Sequence, residues 1–159
     1  LGVEMFYEFF KNLKIFEEIS KKTGLKFIIN IHFSHKESKE MLKKIFPVLI
    51  FTSKKIDGLI KKSFATISYS STSIEDSLTN RVPVILFDNW KRYKHCDATT
   101  NLNGNDSPIY YINNPEDLST CLEILKEKYI NRINFEKVIY SSNLNQNFKN
   151  LFKSLENEK

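Results

Sequence analysis

Five short apolar runs, four of them followed by an amphipathic stretch, constrain this chain more than any other feature. The runs are Leu25 to Ile31 (LKFIINI), Val48 to Phe51, Phe64 to Tyr69, Val82 to Phe87 and Ile109 to Ile112. Apolar runs of roughly four to eight residues bounded by turn signals read as buried strands. After the first, second, third and fifth runs, Lys36 to Ile45, Lys54 to Lys62, Ser73 to Thr79 and Asn114 to about Tyr129 read as helices or helical turns. Glu4 to about Lys22 is a longer helix with apolar residues at Phe6, Phe9, Phe10, Leu13, Ile15, Phe16 and Ile19, most of them at helical spacing in a wide apolar stripe. Buried strands alternating with helices predict an α/β fold, an open and mostly parallel sheet with helices on both faces. Its strand–helix–strand crossovers are expected to be right-handed.

Local chemistry marks the element ends. Thr23–Gly24 stops the first helix, because glycine takes up the left-handed conformation that commonly closes one. Asn114–Pro115–Glu116–Asp117 reads as a helix start, with Asn114 as cap, Pro115 in the first turn and Asp117 at the third position. Asp88 to Asp106 is polar, rich in asparagine and charge, and predicts a long surface loop of the kind that often carries function. The last segment, with apolar residues from Phe135 to Leu155, predicts two helical pieces. Neither an internal repeat nor an interdomain linker is visible, so residues 1–159 read as one domain. The opening Leu1–Gly2–Val3 lacks an initiator methionine and a cleavable leader, which sets the expectation of a fragment that starts inside a longer protein.

Composition narrows the function classes. Lys and Arg outnumber Asp and Glu by 24 to 19, a formal charge of +5 that suits an anionic partner. The lysines sit in short groups near proposed helix ends, where solvation and the helix dipole account for most of them. Trp90 and Tyr93 are able to stack on bases, but no RNA-module signature accompanies them, so a nucleic-acid surface is not expected. Cys96 and Cys121 have neither metal-ligand spacing nor a secreted disulfide pattern, which points to a reducing compartment. No apolar run approaches the roughly 18 residues needed to cross a bilayer. Glycine occurs only at 2, 24, 58 and 104, which excludes a Walker A loop and the dinucleotide G-x-G-x-x-G fingerprint. The elbow of serine hydrolases is absent as well.

Ligands of open parallel sheets bind outside the carboxyl ends of the strands. This places His32, Thr52–Ser53, the hydroxyl run Ser70–Ser71–Thr72–Ser73 and Asp88–Asn89 at candidate positions. The hydroxyl run exceeds what one helix cap needs. Free N–H groups at a helix start, together with small hydroxyls, would hold a phosphate. The plainer reading is an ordinary cap, with a capping box between Thr72 and Glu75. Glu75 would accept hydrogen bonds from ribose hydroxyls or simply favour the helix terminus. His32 reads either as a phosphate or substrate donor or as a surface histidine, while His35 and His95 are weaker candidates. Lys91, Arg92 and Lys94 would screen a diphosphate or belong to a solvated loop. The three histidines lack metal-binding spacing, so no metal is expected.

The stretch FATISYSSTSIEDSLTNRVPVILFD, Phe64 to Asp88, resembles the C-terminal nucleotide-binding domain of glycosyltransferases with two facing Rossmann-like domains, the GT-B architecture. The nearest likeness is to capsule, teichoic-acid and surface-polysaccharide transferases, and it covers about residues 25 to 125. Phe33 takes the place of the proline that often follows the family's histidine, and Asn80–Arg81 that of a glycine–basic pair. The resemblance implies a Rossmann-like fold and a donor phosphate site formed by His32, Ser70, Ser71 and Thr72, with Glu75 on the nucleotide side. It implies a nucleotide-activated sugar as donor substrate, no separate cofactor, and a glycan or lipid-linked acceptor. A missing N-terminal domain would supply the general base, and location would be cytoplasmic, with peripheral association at the inner face of the membrane. A sugar-nucleotide epimerase or hydrolase relative, or a non-catalytic interaction domain, would retain the same fold.

Overall fold

The computed structural model describes residues 3–32, 37–68, 73–91, 96–103 and 107–128. In chain order the elements are α1 (Val3–Thr23), β1 (Ile28–Asn30), α2 (Ser38–Ile45), β2 (Ile50–Thr52), α3 (Asp57–Ile60), β3 (Thr66–Ser68), α4 (Ser73–Thr79), β4 (Val84–Phe87), β5 (Ile109–Ile112) and α5 (Pro115–Lys128). This is an α/β fold of parallel strands flanked by helices. The chain gathers into two compact units, Leu1–Leu59 (unit 1) and Ile60–Lys159 (unit 2).

In unit 1, α1 buries Leu13 and Ile19 and stacks Phe16 on Phe27 with ring centroids 5.2 Å apart. The helix stops as its sequence dictates. Gly24 sits at φ 71, in the left-handed region, and its N–H donates to the Ser20 carbonyl at 2.9 Å. The Ser20 hydroxyl then donates to the Leu25 carbonyl at 2.7 Å, which turns the chain toward β1. β1 and β2 pair in parallel with Ile28 opposite Ile50, Ile29 opposite Phe51 and Asn30 opposite Thr52. Here the structure departs from the expectation of a fully buried strand. Phe51 is buried, but Ile28 and Ile50 are each 44% exposed. Successive side chains leave a strand on opposite faces, and the Ile28–Ile50 face is the open one. α3 is also shorter than the Lys54–Lys62 helix expected, because the Thr52 hydroxyl accepts the N–H of Lys54 and holds the following residues in a turn.

In unit 2, β3, β4 and β5 form a parallel ladder in that order. β4 is buried along its whole length, as its unbroken VILF run requires of a central strand covered on both faces. Ile74 and Leu78 of α4 pack on Val84, Leu86 and Ile109, with Cys96, Ala98 and Tyr111 against the same cluster. Alternation sends Ile85, Phe87, Tyr110 and Ile112 to the other face, the side on which α5 buries Leu118, Cys121, Leu122 and Leu125. Buried Ser77 is fully engaged. It donates to the Ser73 carbonyl at 2.6 Å and accepts from the Thr66 hydroxyl at 3.0 Å, tying α4 to β3. Beyond the end of α4, Arg81 takes up the closing position at φ 55, in the left-handed region. The Val82 N–H donates to the Ser77 carbonyl and the Arg81 N–H to the Leu78 carbonyl, the bond pair of a Schellman closure. α5 starts as expected: Asn114 Oδ1 accepts the Asp117 N–H at 2.8 Å.

The stretch from Asp88 to Asp106 is not loop throughout. Thr99 forms a parallel bridge with Tyr110, its N–H donating to the Ile109 carbonyl and its carbonyl accepting the Tyr111 N–H. The outer edge of β5 offers backbone donors and acceptors, and this short segment satisfies them. The expected helices beyond Tyr129 lie outside the described residues.

Candidate functional site

Ligands of open parallel sheets bind at the carboxyl edge, which in unit 2 is the edge of the β3–β4–β5 ladder that Asp88 follows. Asp88 is the first residue beyond β4 and is 2% exposed. It continues the face defined by Val84 and Leu86, the face covered by α4. Tyr111 is in register with Leu86 and so lies on that same face. The register brings the two together: the Tyr111 hydroxyl donates to Asp88 Oδ2 at 2.9 Å. A buried carboxyl group requires such a donor, since leaving it without hydrogen bonds carries its full desolvation penalty.

The backbone at this edge is fixed as well. The Asp88 N–H donates to the Ile112 carbonyl at 2.8 Å, and the Asp88 carbonyl accepts the Lys91 N–H at 3.1 Å. Lys91 closes this turn at φ 54, a left-handed conformation that a residue with a side chain seldom adopts. Left-handed non-glycine residues cluster at binding edges and switch points, and here one follows the central strand of the ladder. Trp90, in the same turn, is exposed.

The residues singled out from sequence fall as follows. Ser70, Ser71 and Thr72 lie outside the described residues, as do His35, Arg92, Lys94 and His95. Ser73 opens α4 and is part-buried, its carbonyl held by Ser77. Glu75 lies in the first turn of α4 and is exposed. His32 follows β1 in unit 1 and is exposed. Thr52 ends β2, its hydroxyl engaged with the Lys54 N–H.

The Asp88–Tyr111 pair is what sequence reasoning left incomplete. Asp88 stood out as a strand-end residue, but Tyr111 carries no local signal. Only the parallel register of β4 and β5 reveals that it shares a face with Asp88. Two groups with shifted titration lie on the α5 side of the sheet. Burial pushes the Cys121 thiol up to about 12, with the Asp117 carboxylate adding to the shift. Burial also raises Tyr110 above the usual phenol range, with Cys121 contributing in the same direction. Among the described residues no group of three or more His, Cys, Asp or Glu is placed to hold a metal ion. No helix among them is long and apolar enough to cross a membrane. Comparison with known proteins gives no match for this chain among family models, curated proteins or solved structures.

Proposed function

We propose that this chain is the nucleotide-sugar-binding portion of a glycosyltransferase of the GT-B architecture, acting in surface or capsular polysaccharide biosynthesis. The observation that carries this reading is the parallel β3–α4–β4 unit. β3 ends with Ser68 at the carboxyl edge of the ladder, the edge at which Asp88 follows β4, and in sequence Ser70, Ser71 and Thr72 come next. In this reading the hydroxyls and backbone N–H groups take the donor's phosphates. Glu75, exposed on α4, accepts hydrogen bonds from the ribose. Stabilising the departing nucleotide with fixed donors lowers the barrier to sugar transfer, because the donors are in place before charge develops on the leaving phosphate. A preceding domain would deliver the glycan or lipid-linked acceptor and the general base, on the cytoplasmic side of the membrane.

Calorimetric titration of nucleoside mono- and diphosphates into the chain tests the reading. Binding at micromolar to millimolar affinity is expected, roughly 4 to 8 kcal/mol. Ser71→Ala should weaken it by about 1 to 2 kcal/mol with little loss of fold. A folded chain that binds no nucleotide would instead be an interaction domain, and unchanged affinity in the alanine variant would remove Ser71 from the site.

A further inference from the structure

Unit 2 covers its large hydrophobic side chains with one departure. Among the described residues of this unit, Trp90 alone of them is exposed, at 39%. A single exposed aliphatic residue would be unremarkable, because much of any protein surface is apolar. Tryptophan is a different case. It is highly buried on average and carries one of the largest apolar surfaces of any side chain. Trp90 is also the one tryptophan of the chain.

Its place is set by the backbone. The Lys91 N–H donates to the Asp88 carbonyl at 3.1 Å, so Asn89 and Trp90 form the corner of a β-turn that leaves the central strand β4. One end of this turn is pinned to β5. The Asp88 N–H donates to the Ile112 carbonyl at 2.8 Å, and Asp88 Oδ2 accepts the Tyr111 hydroxyl at 2.9 Å. The other end is Lys91, in its left-handed conformation at φ 54. The indole therefore stands on anchored backbone at the carboxyl edge of the ladder, where open parallel sheets take ligands. A contact surface that is held before the ligand arrives spares the entropy of ordering it on binding.

We propose that Trp90 is the stacking platform for the base of a bound nucleotide, which assigns the planar end of the ligand to the turn after β4. The inference rests on the nucleotide-binding reading given above. Every nucleobase has a flat π-face, and stacking on an aromatic ring requires no particular hydrogen-bond pattern, so one indole accepts different bases. A single nucleotide fits this edge better than a nucleic-acid strand. A strand needs a positively charged groove, whereas unit 2 sets 13 cations against 12 carboxylates. A protein partner fits less well too, because an interface core needs a cluster of apolar side chains and Trp90 has no exposed large apolar companion among the described residues of its unit.

The test uses the whole 159-residue chain with the indole as its own reporter, since a single tryptophan assigns the emission without labelling. Excitation at the red edge of indole absorption avoids both tyrosine and the bases. Uridine, cytidine, guanosine and adenosine diphosphates are titrated beside pyrophosphate and ribose phosphate, which carry no base. At least one nucleotide should quench the emission to saturation, with a midpoint equal to its calorimetric Kd, while the ligands without a base leave the emission unchanged. Trp90→Ala should weaken that nucleotide by roughly 5- to 150-fold and leave pyrophosphate affinity as in the parent chain. Trp90→Phe, which keeps an aromatic face, should recover most of the loss. A variant damaged only in its fold would lose pyrophosphate as well. Should Trp90→Ala unfold, the emission of the parent chain with and without a base still decides. A nucleotide that binds by calorimetry without changing the emission overturns the platform and leaves the nucleotide-binding reading standing. Unchanged nucleotide affinity in folded Trp90→Ala, or equal quenching by pyrophosphate, has the same consequence. If no nucleotide binds the folded chain, platform and reading fall together.

Discussion

Asp88 and Tyr111 show how one hydrogen bond keeps a polar group at the end of an otherwise apolar strand. Asp88 is buried and its bond to the half-buried Tyr111 is part-buried, so losing the phenol leaves the carboxyl group short of a donor. Tyr111→Phe should therefore destabilise the chain by about 1 to 3 kcal/mol, the range for leaving a buried acceptor short of its partner. Asp88→Asn combined with Tyr111→Phe should cost less than the sum of the single changes, and a double-mutant cycle by urea denaturation measures the difference. Cys121 makes a second prediction at this scale. Its thiol ionises near 9 when exposed and near 12 in the fold, because burial opposes the thiolate. The folded chain holds this proton after the unfolded chain has released it. The contribution is complete below pH 9 and is lost as pH rises through about 12, so stability should fall across that window. Cys121→Ser, with a much less acidic side chain, should flatten the decline in a pH series of denaturation midpoints. Tyr110, shifted in the same direction, would remain as a smaller slope.

Helix ends were the most legible elements, because each depends on a few neighbouring residues. The Gly24 stop and the Asn114–Asp117 start stand where local chemistry places them. Strand limits were less legible. The run Leu25–Ile31 gives a ladder only over Ile28–Asn30, because pairing ends where β2 ends, and β2 lies about twenty residues away. The Thr99 bridge escaped notice for the same reason: a single threonine in a polar stretch carries no periodicity, and its partner is an edge supplied by β5. In the candidate site, strand-end positions could be read from sequence but the Asp88–Tyr111 contact could not, since it depends on register. The end of α4 offers a test at this scale. Arg81 occupies the left-handed closing position that glycine fills in most helices of this kind. Arg81→Gly should raise stability by about 0.5 to 1 kcal/mol, since the relief of left-handed strain exceeds the added chain entropy of glycine. A higher urea midpoint with an unchanged slope is the expected result.

At the scale of the molecule, parallel pairing demands long connections. Val84 pairs with Ile109, a separation of 25 residues, whereas the Thr99 bridge to Tyr110 spans 11. Closing the shorter loop is easier by about 0.7 kcal/mol, taking the entropy as (3/2)RT ln n for a flexible chain. The bridge thus offers an early stage in assembly: the 99–110 segment can form locally and carry β5, already dressed on its outer edge, toward β4. If that order holds, Thr99 is formed in the folding transition state and its loss acts on the forward rate. Thr99→Pro removes the N–H that the Ile109 carbonyl accepts. Stopped-flow kinetics in urea should then show a slower folding limb with an almost unchanged unfolding limb. A change confined to unfolding would mean that β5 docks first and that the bridge closes behind it.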